Sequence, residues 1–233
     1  MIEANKIEKK FTRGAQAVSA LQAISLNIAS GERVSVVGPS GSGKTTLLSI
    51  LSGLERPDAG DVMINQVSLK SLSERELSLF RAQKIGIVFQ QFHLMPHLTA
   101  LENVSLPLEI LKNALHTPLA QIREAATEML GNVGIGHRLH HLPAELSGGE
   151  CQRVAIARAL MTKPAYLFAD EPSGNLDSHT GQQVMDLLFR LVAENNTTLV
   201  LVTHNPDLAD QCDRTIRIQD GRLTAGSEVG SSA

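Results

Sequence analysis

The sequence predicts an α/β fold: a mostly parallel sheet covered by helices, with an antiparallel β part in the N-terminal third and a helical insertion. Three observations point there. Short β-branched runs alternate with longer helical patterns, the arrangement of strands joined by crossover helices. Residues 20–28 and 60–66 are strand-like segments that suit an antiparallel edge. Between Gln91 and about Met161 strand patterns vanish and helical ones take over.

Taken in order, Glu32 to Val37 (ERVSVV) reads as a buried strand that ends at Gly38. The charged stretch Ser73 to Lys84 reads as a solvated helix face. Lys84 to Phe89 is a second buried strand, and Thr99 to Ala114 and Pro118 to Leu130 are helical. Ala165 to Ala169 and Thr197 to Thr203 are further strands. After Asp177, Val184, Leu187, Leu188, Leu191 and Val192 recur at helical spacing and predict an amphipathic helix lying on the sheet. The 233 residues are expected to form a single domain, with a core from 1–90 and 162–225, an insertion over 91–161, and a small polar tail over 226–233.

Composition narrows the function classes. A hydrophobic fraction of 42% and a charged fraction of 19% are those of an ordinary globular protein. A net charge of −3, no tryptophan and one tyrosine argue against nucleic acid as a partner, which calls for a basic surface and stacking aromatics. Two cysteines, Cys151 and Cys212, make no disulfide framework and suit a reducing compartment. The stretch Met1 to Lys10 is charged from its third residue and has no signal-peptide character. No run approaches the roughly 18 apolar residues of a membrane span. The expectation is a cytoplasmic chain that meets a membrane, if at all, as a peripheral subunit.

Gly38-Pro39-Ser40-Gly41-Ser42-Gly43-Lys44-Thr45, followed by Thr46, matches the phosphate-binding pattern G-x-x-x-x-G-K-[ST] after a strand and before a helix. Its glycines let backbone N–H groups wrap a phosphate chain, and the helix that follows adds its positive end. Lys44 is expected on the β- and γ-phosphates and Thr45 on Mg²⁺. The pattern selects a nucleoside triphosphate without choosing among NTPases. Tyr166-Leu167-Phe168-Ala169-Asp170-Glu171 is an apolar strand that ends in two carboxylates. A buried strand delivers them to the carboxyl edge of the sheet, where such folds bind ligands. There Asp170 would hold Mg²⁺ and Glu171 would polarise the attacking water.

Leu146-Ser147-Gly148-Gly149-Glu150, continued by Cys151 to Leu160, resembles the signature motif and helix of the ATP-binding cassette (ABC) family. Read locally, it is a serine N-cap with a glycine turn, and also a second anion-binding helix start. One catalytic centre has no need of two such starts, so the signature of one copy is expected to cover the ATP held by another. The other family elements follow in family order. Phe11, which alone would read as a core residue, resembles the aromatic that stacks on adenine. Gln90 matches the glutamine that links Mg²⁺ to the helical insertion. Ser173 to Asp177 resembles the D-loop that touches the partner, through Asp177. His204 matches the switch histidine at the γ-phosphate, although a histidine at a strand end is often only structural. The likeness runs from Phe11 to about Leu223. It implies a P-loop NTPase core of ABC type, MgATP as cofactor, ATP hydrolysis, and two copies paired head to tail.

Within the family, His93 to Pro96, Leu101 to Val104, Gly174 to Asp177 and Asp220 to Leu223 are similar to the group of LolD-, MacB- and FtsE-like ATPases. His141 to Leu146 and Cys212 to Arg214 look most like its YbbA branch. The group implies a peripheral subunit on the cytoplasmic face of the inner membrane, beside a permease subunit of the FtsX, LolC or MacB type. It also implies export or extraction of a lipid, lipoprotein or hydrophobic substrate, or else an FtsE-like regulatory cycle that transports nothing. Cys151 and Ser173 depart from the residues usual in the group, at positions that carry no phosphate chemistry. His137, His140 and His141 lie close together but lack the cysteine or carboxylate frame of a metal site.

Overall fold

The structure, a computed structural model, describes residues 1–13 and 16–224. The tail expected over 226–233 lies outside them. In chain order the first elements are β1 (Ile2–Arg13), β2 (Gln16–Ile28), β3 (Arg33–Val37), α1 (Lys44–Leu51), β4 (Ala59–Ile64), β5 (Val67–Ser68) and α2 (Glu74–Lys84). Next come β6 (Ile85–Phe89), α3 (Ala100–Leu115), α4 (Leu119–Asn132), α5 (Gly148–Leu160) and β7 (Tyr166–Asp170). The last are α6 (Ser178–Glu194), β8 (Thr198–Val202), α7 (Pro206–Ala209), β9 (Arg214–Gln219) and β10 (Arg222–Leu223). These elements form two compact units, Met1–Arg81 with the chain from Thr198 onward, and Ala82–Thr197.

The first unit holds an antiparallel sheet in the order β2-β1-β4-β5. In it Ile2 faces Ile28 on one side and Ile64 on the other, and all three are fully buried. β1 has no counterpart among the strands expected from sequence. Its apolar residues Ile2, Ala4 and Ile7 are buried, but a bulge between Ala4 and Ile7, with Lys6 at φ 48°, breaks the alternation that would reveal them. In the same unit β3 pairs in parallel with both β8 and β9, and β10 pairs antiparallel with β9. Arg33 fixes the start of β9: its main-chain N–H donates to Asp213 Oδ2 (2.8 Å) and its guanidinium to Asp213 Oδ1 (2.5 Å). That pairing holds the Asp213 carboxyl below its ordinary range. α1 packs on β8, β1 and β2 through the buried Leu47, Leu48, Ile50 and Leu51.

In the second unit β6 and β7 run parallel from Ile85↔Tyr166 to Phe89↔Asp170. Tyr166 to Ala169 are all buried, as an apolar strand covered on both faces must be. The residues predicted to form the apolar stripe of α6, Val184, Leu187, Leu188, Leu191 and Val192, are buried without exception. Each such side chain contributes about 1.5–3 kcal/mol by leaving water. No strand lies between Phe89 and Tyr166, where α3 packs against α4 and α5. α3 opens with a capping box: Thr99 N–H donates to Glu102 Oε2 (2.8 Å), and Glu102 N–H returns a bond to Thr99 Oγ1 (3.3 Å).

Candidate functional site

The first unit carries the phosphate loop. β3 ends at Val37, the loop follows, and α1 begins at Lys44. Gly43, the residue before α1, has φ 104°, a conformation that side chains with a Cβ rarely adopt. A Cβ at Gly38 would strike the main-chain oxygen of Ile218 on β9. Lys44 is 8% exposed, and its Nζ donates to the loop's own carbonyls at Gly38 (2.9 Å) and Pro39 (2.8 Å). The lysine therefore closes the loop on itself. Ser42 Oγ is buried and has no hydrogen-bond partner among the described residues, a polar atom a phosphate oxygen could satisfy. Ser40, Gly41 and Thr45 are exposed. β8 runs beside β3 with Val36 opposite Val202, so His204 leaves the sheet at the edge where Gly38 begins the loop. Phe11 is 41% exposed, not a core residue. It pairs across β1 and β2 with the exposed Val18, and Lys9 Nζ lies 5.6 Å from its ring centroid.

The second unit carries the acidic strand end. Because Phe89 and Asp170 are in register, Gln90 and Glu171 emerge together at the carboxyl edge of β6 and β7. Glu171 has φ 44°, a left-handed backbone that costs a non-glycine residue about 1 kcal/mol or more. Its carbonyl accepts from Gly174 N–H (2.9 Å), which closes a tight turn directly after the strand. Gln90 Nε2 donates to Asn175 Oδ1 (3.1 Å) and Asn175 Nδ2 donates to Gln90 O (3.0 Å). Sequence reasoning placed Asn175 only within the D-loop stretch and gave it no link to Gln90. A pairing across 85 residues leaves no local signal.

The signature stretch is a capped helix start. Ser147 is the N-cap of α5 and its Oγ accepts from Glu150 N–H (3.3 Å), while Glu150 Oε2 accepts from Ser147 N–H (2.8 Å). The local reading of a serine N-cap is what these bonds show, the cap engaging Glu150 in both directions. A Cβ at Gly149 would run into Thr180 at the start of α6, whose N-cap is Asp177 (Thr180 N–H to Asp177 Oδ1, 3.0 Å). Leu146 is half-buried and precedes the cap. The Ser147 N–H bond, with the Arg138 guanidinium (Nε to Oε1, 3.0 Å), pulls the Glu150 carboxyl down to about 2. A carboxylate depressed in the folded state stabilises it above the ordinary carboxylate range and loses that contribution as pH falls through its folded value. An NMR titration should therefore find Glu150 ionised until about pH 2, and a midpoint near 4 would show that the capping box does not persist in solution.

Of the residues named in passing, Cys151 is buried, and burial raises its thiol above the ordinary range, so it is not a reactive thiolate. His137 Nε2 stands 4.0 Å from Glu150, and His141 Nε2 lies 3.0 Å from Arg138 Nη1. Among the described residues no three or more His, Cys, Asp or Glu side chains form a metal-binding group. Arg158, also unassigned from sequence, reaches from α5 to the main-chain oxygens of Phe92 (2.9 Å) and His93 (2.6 Å).

A sequence profile described as ABC transporter matches residues 21–174. The chain belongs to the ABC transporter family. This ABC ATPase is 46% identical over 97% of both chains to the lipoprotein-releasing system ATP-binding protein LolD of Pseudomonas fluorescens. It is 45% identical over 95% of its length to the macrolide export ATP-binding/permease protein MacB of Rhodopirellula baltica, of which it spans 32%. Its fold superposes on the dimeric, ADP- and Pi-bound post-hydrolysis state of the cassette MJ0796 with a TM-score of 0.89, at 42% identity and 97% coverage of each. The chain is thus an ATP-binding, ATP-hydrolysing subunit of an ABC transporter, with an α/β fold of mostly parallel strands and an antiparallel β part. No helix among the described residues is long and apolar enough to cross a membrane.

Proposed function

We propose that two copies of this ATPase pair head to tail around two MgATP, and that closure drives a separate membrane subunit that exports or extracts a lipid, lipoprotein or other hydrophobic substrate. What supports the reading is that one chain has two glycine-bearing helix starts of the kind that suit an anion, the loop ahead of α1 and the Ser147-Gly148-Gly149 start of α5. The roles follow from chemistry. Residues 38–46 wrap the phosphates, Phe11 stacks on the base, and His204 meets the γ-phosphate. Thr45, Gln90 and Asp170 offer a hydroxyl, an amide oxygen and a carboxylate, the all-oxygen set that suits Mg²⁺. Mg²⁺ supplies charge neutralisation across the β- and γ-phosphates when bound. Glu171 orients the water. Leu146 to Glu150 cover the partner's ATP, and Asp177 belongs to the loop facing the partner.

The division into a core (1–90 and 162–225) and a helical lobe (91–161) is part of the same reading, the lobe carrying the signature. Likeness to LolD over the full length supports a lipoprotein or similar lipidic cargo and a peripheral place at the cytoplasmic face of the inner membrane. A Ser147→Arg chain should bind ATP in its own loop with unchanged affinity and lose ATPase activity, because the added side chain blocks the neighbour's nucleotide. Wild-type turnover by Ser147→Arg alone would remove the shared site. Co-purification of the chain with its membrane subunit, followed by mass spectrometry of bound lipid and lipoprotein, tests the cargo. A complex that carries neither would count against extraction.

A further inference from the structure

We infer that Asn175 is a positioning residue that sets which atom of the Gln90 amide is offered to Mg²⁺, an inference that rests on Gln90 being a metal ligand. Three observations converge on the pair. Asn175 Nδ2 donates to the main-chain oxygen of Gln90 at 3.0 Å. A carbonyl oxygen only accepts, so the atom of Asn175 facing it must be the NH₂ group, and the orientation of that amide is fixed by chemistry. Its other atom, Oδ1, is then an acceptor, and the group of Gln90 lying 3.1 Å from it must be the donor Nε2. The pairing therefore turns the Gln90 amide so that Oε1 stands outside the pair. Oxygen is the atom a hard divalent cation takes, and nitrogen is the atom it refuses.

The third observation is steric. A Cβ on residue 174 would come within 2.8 Å of Gln90 Nε2 and 3.2 Å of its Cδ, so Gly174 is what allows the amide to lie against this loop. Gly174 and Asn175 form a cradle: one makes room for the amide and the other reads its polarity. Without Asn175 the Gln90 amide can rotate by half a turn and present NH₂ to the cation, a non-binding state that competes with the binding one. A mobile amide of this kind divides apparent affinity by the fraction of time spent in the binding orientation, about 2-fold when the two orientations are equally populated, and the effect is confined to the metal. Asn175 also sits two residues before Asp177, so a contact made by this loop with a second copy would be felt at the amide.

The test uses the full chain and Mg²⁺ itself as the probe. Fluorescent-ATP affinity is measured across a Mg²⁺ titration and again in EDTA for wild type, Asn175→Ala, Asn175→Asp and Gln90→Ala. Asn175→Ala should raise the Mg²⁺ concentration at half effect about 2-fold or more, with unchanged binding in EDTA and unchanged melting temperature. Asn175→Asp keeps the acceptor for Nε2 but sets a carboxylate against the Gln90 carbonyl, so it should fall between wild type and Asn175→Ala. Equal Mg²⁺ curves for Asn175→Ala and wild type, while Gln90→Ala shifts, would overturn the positioning role and leave Gln90 a ligand. Equal curves for Gln90→Ala and wild type would overturn the metal role of Gln90 itself. Weakened binding in EDTA would mark Asn175 as merely structural and also overturn the inference.

Discussion

Glu171→Gln should bind ATP at least as tightly as the unchanged chain and hydrolyse it roughly 10²- to 10⁴-fold more slowly, the loss typical of removing a general base. Phosphoryl transfer to water asks little covalent chemistry of a protein; it asks for an oriented water and for neutralised phosphate charge. In the proposed site Lys44, a bound Mg²⁺ and the helix-start N–H groups would provide the second, which would leave the water to Glu171. The fold pays for this residue's placement: Glu171 holds a left-handed backbone at φ 44° immediately after β7, inside a turn closed by Gly174. Glutamine keeps the size and the same backbone demand, so the substitution removes charge without relaxing the turn. Single-turnover assays with radiolabelled ATP measure the effect. Turnover near the wild-type rate would move the base elsewhere, with His204 the first candidate because it leaves β8 at the edge where the phosphate loop begins.

Lys44→Ala should lose most ATP binding, roughly 10²-fold or more, as expected when one partner of a buried charged contact is truncated. Two effects add. The cation proposed to face the β- and γ-phosphates would be gone, and the carbonyls of Gly38 and Pro39 would lose their donor, a charge-assisted pair of bonds worth about 1.5–3 kcal/mol each. Gly43 at φ 104° still fixes the turn, so circular dichroism and the antiparallel sheet of the first unit should be unaffected. An unchanged affinity in a fluorescent-ATP titration would count against the phosphate-loop assignment.

What sequence disclosed depended on how local each cause was. The strand before Gly38, the strand ending at Asp170 and the stripe of α6 were legible because burial on one or both faces writes a run or a 3.6-residue period into contiguous residues. β1 was not, because six of its twelve residues are charged and the bulge at Lys6 interrupts the period. β9 alternates buried Ile216 and Ile218 with exposed Arg217 and Gln219, but over six residues that pattern is too short to separate a strand from a loop. The residues proposed for phosphate chemistry sit in contiguous motifs, which is why sequence could nominate them. The contacts that hold those motifs in place join residues far apart in sequence, as Gln90 with Asn175 and Arg158 with His93 do, and no window of sequence contains both ends.

If two copies share ATP, the mass of the trapped state shows it most directly. Glu171→Gln, which binds ATP without consuming it, should elute in size-exclusion chromatography with light scattering at about twice the 25.1 kDa of one chain when MgATP is present, and as a single chain without it. Adding Ser147→Arg to Glu171→Gln should abolish the doubled mass while each chain still binds nucleotide. A Glu171→Gln chain that stays single with ATP bound, or a double variant that still dimerises, would rule out ATP shared between two copies.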